Sequence, residues 1–135
     1  AVDNLKQIIS DTENICIDEE KDYMPALTVA DYYIGDRSAL MIEAAVLGIP
    51  VLYMTNFYYK ETMLPYVEGL VESFYQGEKA YDIERFIDMV VINGQDYKKT
   101  HRMEEVKKSI PYFDGLCGKR IVDKMADLIN IESED

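Results

Sequence analysis

A chain of 135 residues, with 48% hydrophobic and 30% charged side chains, has the size and balance of one soluble domain around one core. Its net charge of −12 excludes a broad electrostatic nucleic-acid footprint, and it repels anionic ligands at long range. A phosphate site in such a chain must therefore be built from local donors.

The first residues, Ala1-Val2-Asp3-Asn4, have neither the basic nor the apolar region of a signal peptide and lack an initiator Met. The expectation is a piece of a longer cytoplasmic protein. No apolar run approaches the ~20 residues of a membrane span. Leu5, Ile8 and Ile9 fall on one face of a helix over residues 3–10. Ile15-Cys16-Ile17 reads as a short strand, followed by an acidic loop over 18–22. Residues 24–30 read as a short helix with Pro25 in its first turn.

The clearest pattern comes next. Tyr32-Tyr33-Ile34 is an apolar strand, Gly35-Asp36-Arg37-Ser38 a polar turn, and 39–47 a helix. Gly48 suits the helix's C′ position and Pro50 blocks its continuation. Val51-Leu52-Tyr53-Met54 is a second buried strand. The unit is βαβ, with strands apolar enough to be covered on both faces. Beyond it lie an aromatic loop from Phe57 past Pro65 to Gly69, a last strand at 70–75, and helices at 81–92, 95–109 and 119–129. Asn93-Gly94 ends the first of these helices, and 111–118 form a loop. Residues 1–130 are expected to form a single nucleotide-binding domain, and 131–135 a disordered acidic tail.

Cys16 and Cys117 lie far apart in sequence and have no metal-ligand spacing, so both are expected as reduced, mostly buried thiols. The single histidine, His101, falls in a polar stretch and is expected on an exposed helix face. No metal, cofactor or Ser-His-Asp triad is expected, and no residue offers itself as a general base.

The turn at 35–38 closes a strand and opens a helix, which is where open α/β sheets bind ligands. The helix start presents unpaired N–H groups and a partial positive charge that favour phosphate. Ser38 adds a hydroxyl and Arg37 a charge; the alternative is that Ser38 is only an N-cap and Asp36 only a turn residue. Glu43 is the sole charge in 39–47 and lies one turn after Ala39 on the same face. It is placed to accept ribose hydroxyls, or else to pair with an internal lysine or arginine.

Asp36-Arg37-Ser38-Ala39-Leu40-Met41-Ile42-Glu43, followed by Gly48-Ile49-Pro50-Val51, resembles the Asp-x-Ser-Ser-x-x-x-(Asp/Glu) … Gly-x-Pro-(Val/Ile) segment of the CDP-glycerol glycerophosphotransferases, which build teichoic acids. Asp114-Gly115 with Arg120-Ile121-Val122-Asp123 resembles that family's closing Asp-Gly … Arg-(Val/Ile)-Val-Asp stretch. Ala39 stands where the family has a second serine, and Arg37 where it commonly has tyrosine.

The resemblance implies the carboxyl-terminal, Rossmann-like half of a glycosyltransferase-B type fold. It implies that Ser38 and the Ala39 N–H hold the diphosphate of CDP-glycerol, that Glu43 holds its ribose, and that the Asp114-Gly115 loop lies near the cleft. The acceptor, a membrane-linked polymer, would belong to the other half, and the full-length protein would sit at the inner face of the membrane. This chain alone would bind donor without catalysing transfer. Two alternatives stand beside that expectation. One is a related fold member using a UDP-sugar, as transferase or 2-epimerase; the other is a non-catalytic interaction module whose partner surface is the aromatic loop.

Overall fold

The computed structural model describes residues 2–55 and 65–132. They fall into two compact units, Ala1–Asp31 and Tyr32–Asp135. The first holds α1 (Val2–Ser10) and α2 (Met24–Val29). Pro25 starts α2, and Leu27 is its buried residue. Ile15 and Ile17 are about half exposed, in a stretch without regular structure. The expected strand there is not formed: a three-residue β-branched run needs a neighbouring ladder to satisfy its backbone.

The second unit is an α/β domain. Three parallel strands, β1 (Tyr33–Gly35), β2 (Val51–Met54) and β3 (Tyr75–Gly77), form an open sheet in the order β1-β2-β3. Tyr33 pairs with Val51 and Gly35 with Tyr53, while Leu52 pairs with Tyr75. Helix α3 (Ala39–Val46) joins β1 to β2 and packs on both. It ends as the sequence predicts. Gly48 takes φ +84, which a side chain would resist, and donates its N–H to Ala45 O at 3.0 Å; the Ile49 N–H reaches Ala44 O at 3.0 Å. Helix α4 (Pro65–Glu72) joins β2 to β3.

Here the structure departs from the expected order of loop and strand. Residues 65–69 are helix, and the strand starts at Tyr75, not Leu70. Leu70 and Phe74 are fully buried, so the apolar run reflects helix burial and the exit from it, a distinction that periodicity in a short run cannot make. The expected aromatic loop falls largely on 56–64, outside the described residues.

Helix α5 (Ala80–Phe86) continues into a π-helical segment (Ile87–Ile92). Its Phe86 and Val90 close over Leu52 and Tyr75 to form the core on one face of the sheet. The Tyr75 and Phe86 rings meet edge to face at 5.2 Å. Ile87, expected on the apolar side, is instead exposed. The wider turn of the π segment shifts its register away from the regular helical spacing.

Helix α6 (Lys99–Ser109) packs on α3 and α4, and α7 (Cys117–Glu132) ends the described chain. The α6 helix starts four residues later than expected, because residues 95–98 form a turn that Asp96 anchors. His101 is exposed, as predicted, but its neighbour Arg102 has no exposed surface at all. Both cysteines are exposed free thiols, contrary to the expected burial. Cys16 lies in the irregular stretch and Cys117 at the open start of α7.

Arg102 and Asp96 organise the amino-terminal end of the sheet. The guanidinium donates to Asp96 Oδ2 at 2.6 Å and Oδ1 at 3.2 Å, and to Gly48 O at 3.3 Å. The Tyr75 hydroxyl donates to Asp96 Oδ1 at 3.0 Å. Lys98 reaches the carbonyls of Glu72 and Phe74, just ahead of β3. Burial alone would raise the pKa of Asp96, but hydrogen bonding and charge from Arg102, with the Tyr75 hydroxyl, outweigh it and hold the carboxyl below its usual range. Burial, assisted by Asp96, pushes Tyr75 up to about 12.

Replacing Arg102 with Ala strands the Asp96 carboxylate. The expected loss is about 3 kcal/mol, seen as a lower urea midpoint with an unchanged slope. The two shifts also predict the pH profile. The contribution of Asp96 is present above ~4 and lost as pH falls through its depressed folded value, and Asp96→Asn should lack that acid limb. The contribution of Tyr75 is present below ~10 and lost as pH rises through about 12, and Tyr75→Phe should lack that alkaline limb. Denaturation midpoints taken across pH check both.

Candidate functional site

The carboxyl-terminal ends of the strands are the opposite edge of the sheet from the Arg102 network. Here β1 passes through the bend 36–38 into α3. Ser38 stands at the N-cap in extended backbone (φ −152, ψ 164), yet its side chain makes no capping hydrogen bond. Its Oγ lies 3.1 Å from the hydroxyl of Tyr33. Ser38 thus does not cap the first N–H groups of α3, and α3 has no acid in its first turn. That end retains its partial positive charge.

Tyr33 reaches Ser38 by lying across Gly35, two residues on and on the same face of β1. A Cβ on residue 35 would fall 2.7 Å from the Tyr33 hydroxyl and 3.0 Å from its ring carbons. A side chain at residue 35 would therefore have to displace the end of the Tyr33 ring. Beside it in register, Tyr53 is 3% exposed, and its hydroxyl has no hydrogen-bond partner among the described residues. Tyr33 and Tyr53 belong to the environment of the turn, but the motif pattern points only to 36–39. The signal that locates them is the alternation Tyr33-x-Gly35, which puts a ring over a residue with no side chain.

Asp36, Arg37 and Ala39 are exposed, and Ser38 is half-buried. Glu43 is half-buried on α3, one turn beyond Ala39. These five residues share one strand end and one helix. Asp114 and Gly115 lie elsewhere. Asp114 lines a groove of about 380 Å³ with Val46, Met103 and Val106, at the opposite end of α3 from Ser38. Its carboxylate accepts the Leu116 N–H at 3.0 Å and pairs with Arg120, whose guanidinium lies 4.6 Å from the Tyr112 ring centre. The hydrogen bond from Arg120, then that from Leu116, holds Asp114 well below the usual carboxylate range. Gly115 follows in the left-handed region, at φ +73. In this position the pair shapes the entry into α7.

A second recess of about 220 Å³ opens between β3 and α5, lined by Gln76, Asp82, Arg85, Tyr97 and Lys98. Most of its polar groups are already engaged. Asp82 accepts the N–H groups of Glu78 and Lys79 at 2.9 and 3.1 Å, and hydrogen bonding, chiefly from Glu78, lowers its pKa. Gln76 and Lys98 bond to backbone carbonyls.

Among the described residues no cluster of His, Cys, Asp or Glu could hold a metal ion, and no helix is long and apolar enough to cross a membrane. The second unit is an α/β domain with a small open parallel sheet, a layout compatible with a Rossmann-like fold. No protein-family model, curated protein or solved structure matches the chain.

Gly35→Ala should disturb this end selectively. Its Cβ forces the Tyr33 ring away from Ser38, with an expected loss of about 1–3 kcal/mol. Chemical denaturation gives the loss, and the Tyr33 ring resonances report the displacement by NMR.

Proposed function

We propose that the second unit binds a nucleotide diphosphate donor at the turn 36–38, as the donor half of a glycosyltransferase-B type transferase. The observation that carries this reading is the start of α3. At a helix amino end on the carboxyl edge of a parallel sheet, the N-cap serine does not cap its own helix, and its hydroxyl is held beside that end by Tyr33. Such an end receives an anion through its N–H groups and its dipole. In a chain of net charge −12, this local arrangement is what makes phosphate binding feasible.

In this reading the Ser38 hydroxyl and the Ala39 N–H hold the diphosphate, Arg37 adds charge, and Glu43 accepts the ribose hydroxyls. Asp36 holds the turn. The donor favoured by the resemblance of Asp36–Glu43 is CDP-glycerol or another CDP-activated polyol phosphate. The transferred group would be a polyol phosphate, and the acceptor a membrane-linked polymer bound by another part of the protein. Catalysis would rest on stabilising the charge of the departing nucleotide and on positioning the acceptor. Asp114 and Gly115 take no direct part, since they sit at the far end of α3.

Calorimetric titration with CDP-glycerol, CDP, CMP and UDP-N-acetylglucosamine tests the reading. Cytidine-selective binding is expected, weakened about 10-fold or more in Ser38→Ala and in Glu43→Gln by loss of a hydrogen bond to a charged group. Selective binding of the UDP-sugar would replace the donor class while keeping the site. A folded chain whose affinity is unchanged in both variants would remove the turn as the site.

A further inference from the structure

The recess between β3 and α5 lies against a strand edge that the fold leaves open. Among the described residues β3 is the last strand of the sheet, and only its β2 side is paired. The Gly77 carbonyl accepts the Thr55 N–H at 2.7 Å on that side. Bonding sides alternate along a strand, so the N–H and C=O of Gln76 point the other way, to the open edge. Side chains alternate too. Tyr75 faces α5, whereas the Gln76 amide turns away to donate to the carbonyls of Val71 and Phe74. What Gln76 presents to the recess is therefore its backbone.

The walls are apolar and largely aromatic: Phe86 and Met89 from the helix, Tyr75 from the strand and Tyr97 from the turn before α6. The rings of Phe86 and Tyr97 both meet Tyr75 edge to face, at 5.2 and 5.1 Å. A further planar ring entering this array gains the same kind of contact, about 0.5–1.5 kcal/mol beyond its buried area. The volume of about 220 Å³ holds one six-membered ring and a small polar group, given that an apolar cavity of ~150 Å³ holds benzene. Three charged side chains line the recess: Asp82, Arg85 and Lys98. Asp82 Oδ2 accepts the N–H groups of Glu78 and Lys79, and Lys98 donates to the carbonyls of Glu72 and Phe74. Arg85 lies in the field of Asp82 but makes no hydrogen bond or ion pair of its own among the described residues. In a chain of net charge −12 the recess thus carries a surplus cation beside apolar walls.

We propose that this recess binds a small aromatic carboxylate. The ring enters between Phe86, Met89 and Tyr97, and the carboxylate takes the two donors that lack a partner, the Arg85 guanidinium and the Gln76 N–H. A guanidinium and a backbone amide together suit the two oxygens of a carboxylate, and a charged donor makes the stronger bond. The apolar walls lower the local dielectric and strengthen that attraction. None of residues 36–39 lines the recess, so this site is independent of the one proposed at the turn.

An NMR titration of the amide resonances with benzoate tests the site. Saturable shifts centred on residues 75–77, 85–89 and 97–98 are expected, with a dissociation constant on the order of 1 mM for so small a ligand. Benzamide, which keeps the ring and loses the charge, should bind about 10-fold more weakly, and acetate, which keeps the charge and loses the ring, should not saturate. Arg85 is exposed, so Arg85→Gln should leave the rest of the spectrum unchanged and weaken benzoate about 10-fold. Tyr97→Ala should weaken it several-fold by opening one wall. The proposal is overturned by a chain that shows no saturable shift up to about 10 mM benzoate, or whose shifts centre elsewhere. Equal binding of benzamide or of acetate overturns it as well, as does an unchanged affinity in a folded Arg85→Gln.

Discussion

A guanidinium with no exposed surface is expensive to bury, and the second unit is arranged around meeting that cost. Arg102 comes from α6, Asp96 from the turn before it, Gly48 from the end of α3, and Tyr75 from the first residue of β3. Each supplies a polar atom where the apolar core could not. A buried ion pair of this kind need not add net stability over a well-packed apolar set, but removing one member leaves an uncompensated charge. Its effect is therefore to specify. The chain must bring the 96–102 segment, the end of α3 and the start of β3 to one point before all of their polar groups are satisfied, which disfavours other packings of the same helices. The Arg102 Nε has no partner among the described residues, so even here the satisfaction is incomplete.

That anchorage lies at the amino-terminal end of the strands, opposite the carboxyl-terminal edge that carries the proposed site. The division follows from parallel topology. All strands enter from one side, so the loops leaving them collect on the other, together with the amino ends of the helices that follow. Within that edge, Tyr33, Gly35 and Ser38 form a small device: a ring laid over a glycine holds a hydroxyl beside a helix start that it does not cap. A serine that capped its own helix would have its oxygen occupied by a backbone N–H. Here the hydroxyl is turned to Tyr33 instead and lies beside the first N–H groups of α3.

The last helix obeys different physics. Its apolar residues are spaced like those of a core helix and yet remain in solvent, and its charges are ordered against its own dipole. Both features disfavour an isolated helix. The groove lined by Tyr112 and Met125 is nearly all apolar, unlike the recess at β3, where Asp82, Gln76 and Lys98 are engaged in hydrogen bonds.

Local chemistry made much of this legible from the residues. The βαβ unit at 32–54 was readable because Gly48 and Pro50 can end a helix in only a few ways and the flanking strands are apolar without interruption. The turn 35–38 was readable as a ligand edge for the same reason. Short apolar runs were not. Ile15–Ile17 looks like a strand but has no ladder to join, and Leu70–Tyr75 looks like a strand but is the buried end of α4, the exit from it and only the first residue of β3. Composition and pattern thus determined the class of the second unit and the position of its candidate site. Tertiary structure decided which charge lies in the core, that Tyr33 rather than the helix holds Ser38, and that Asp114 lies at the far end of α3. Each depends on segments distant in sequence meeting in space, and a one-dimensional pattern carries no term for that.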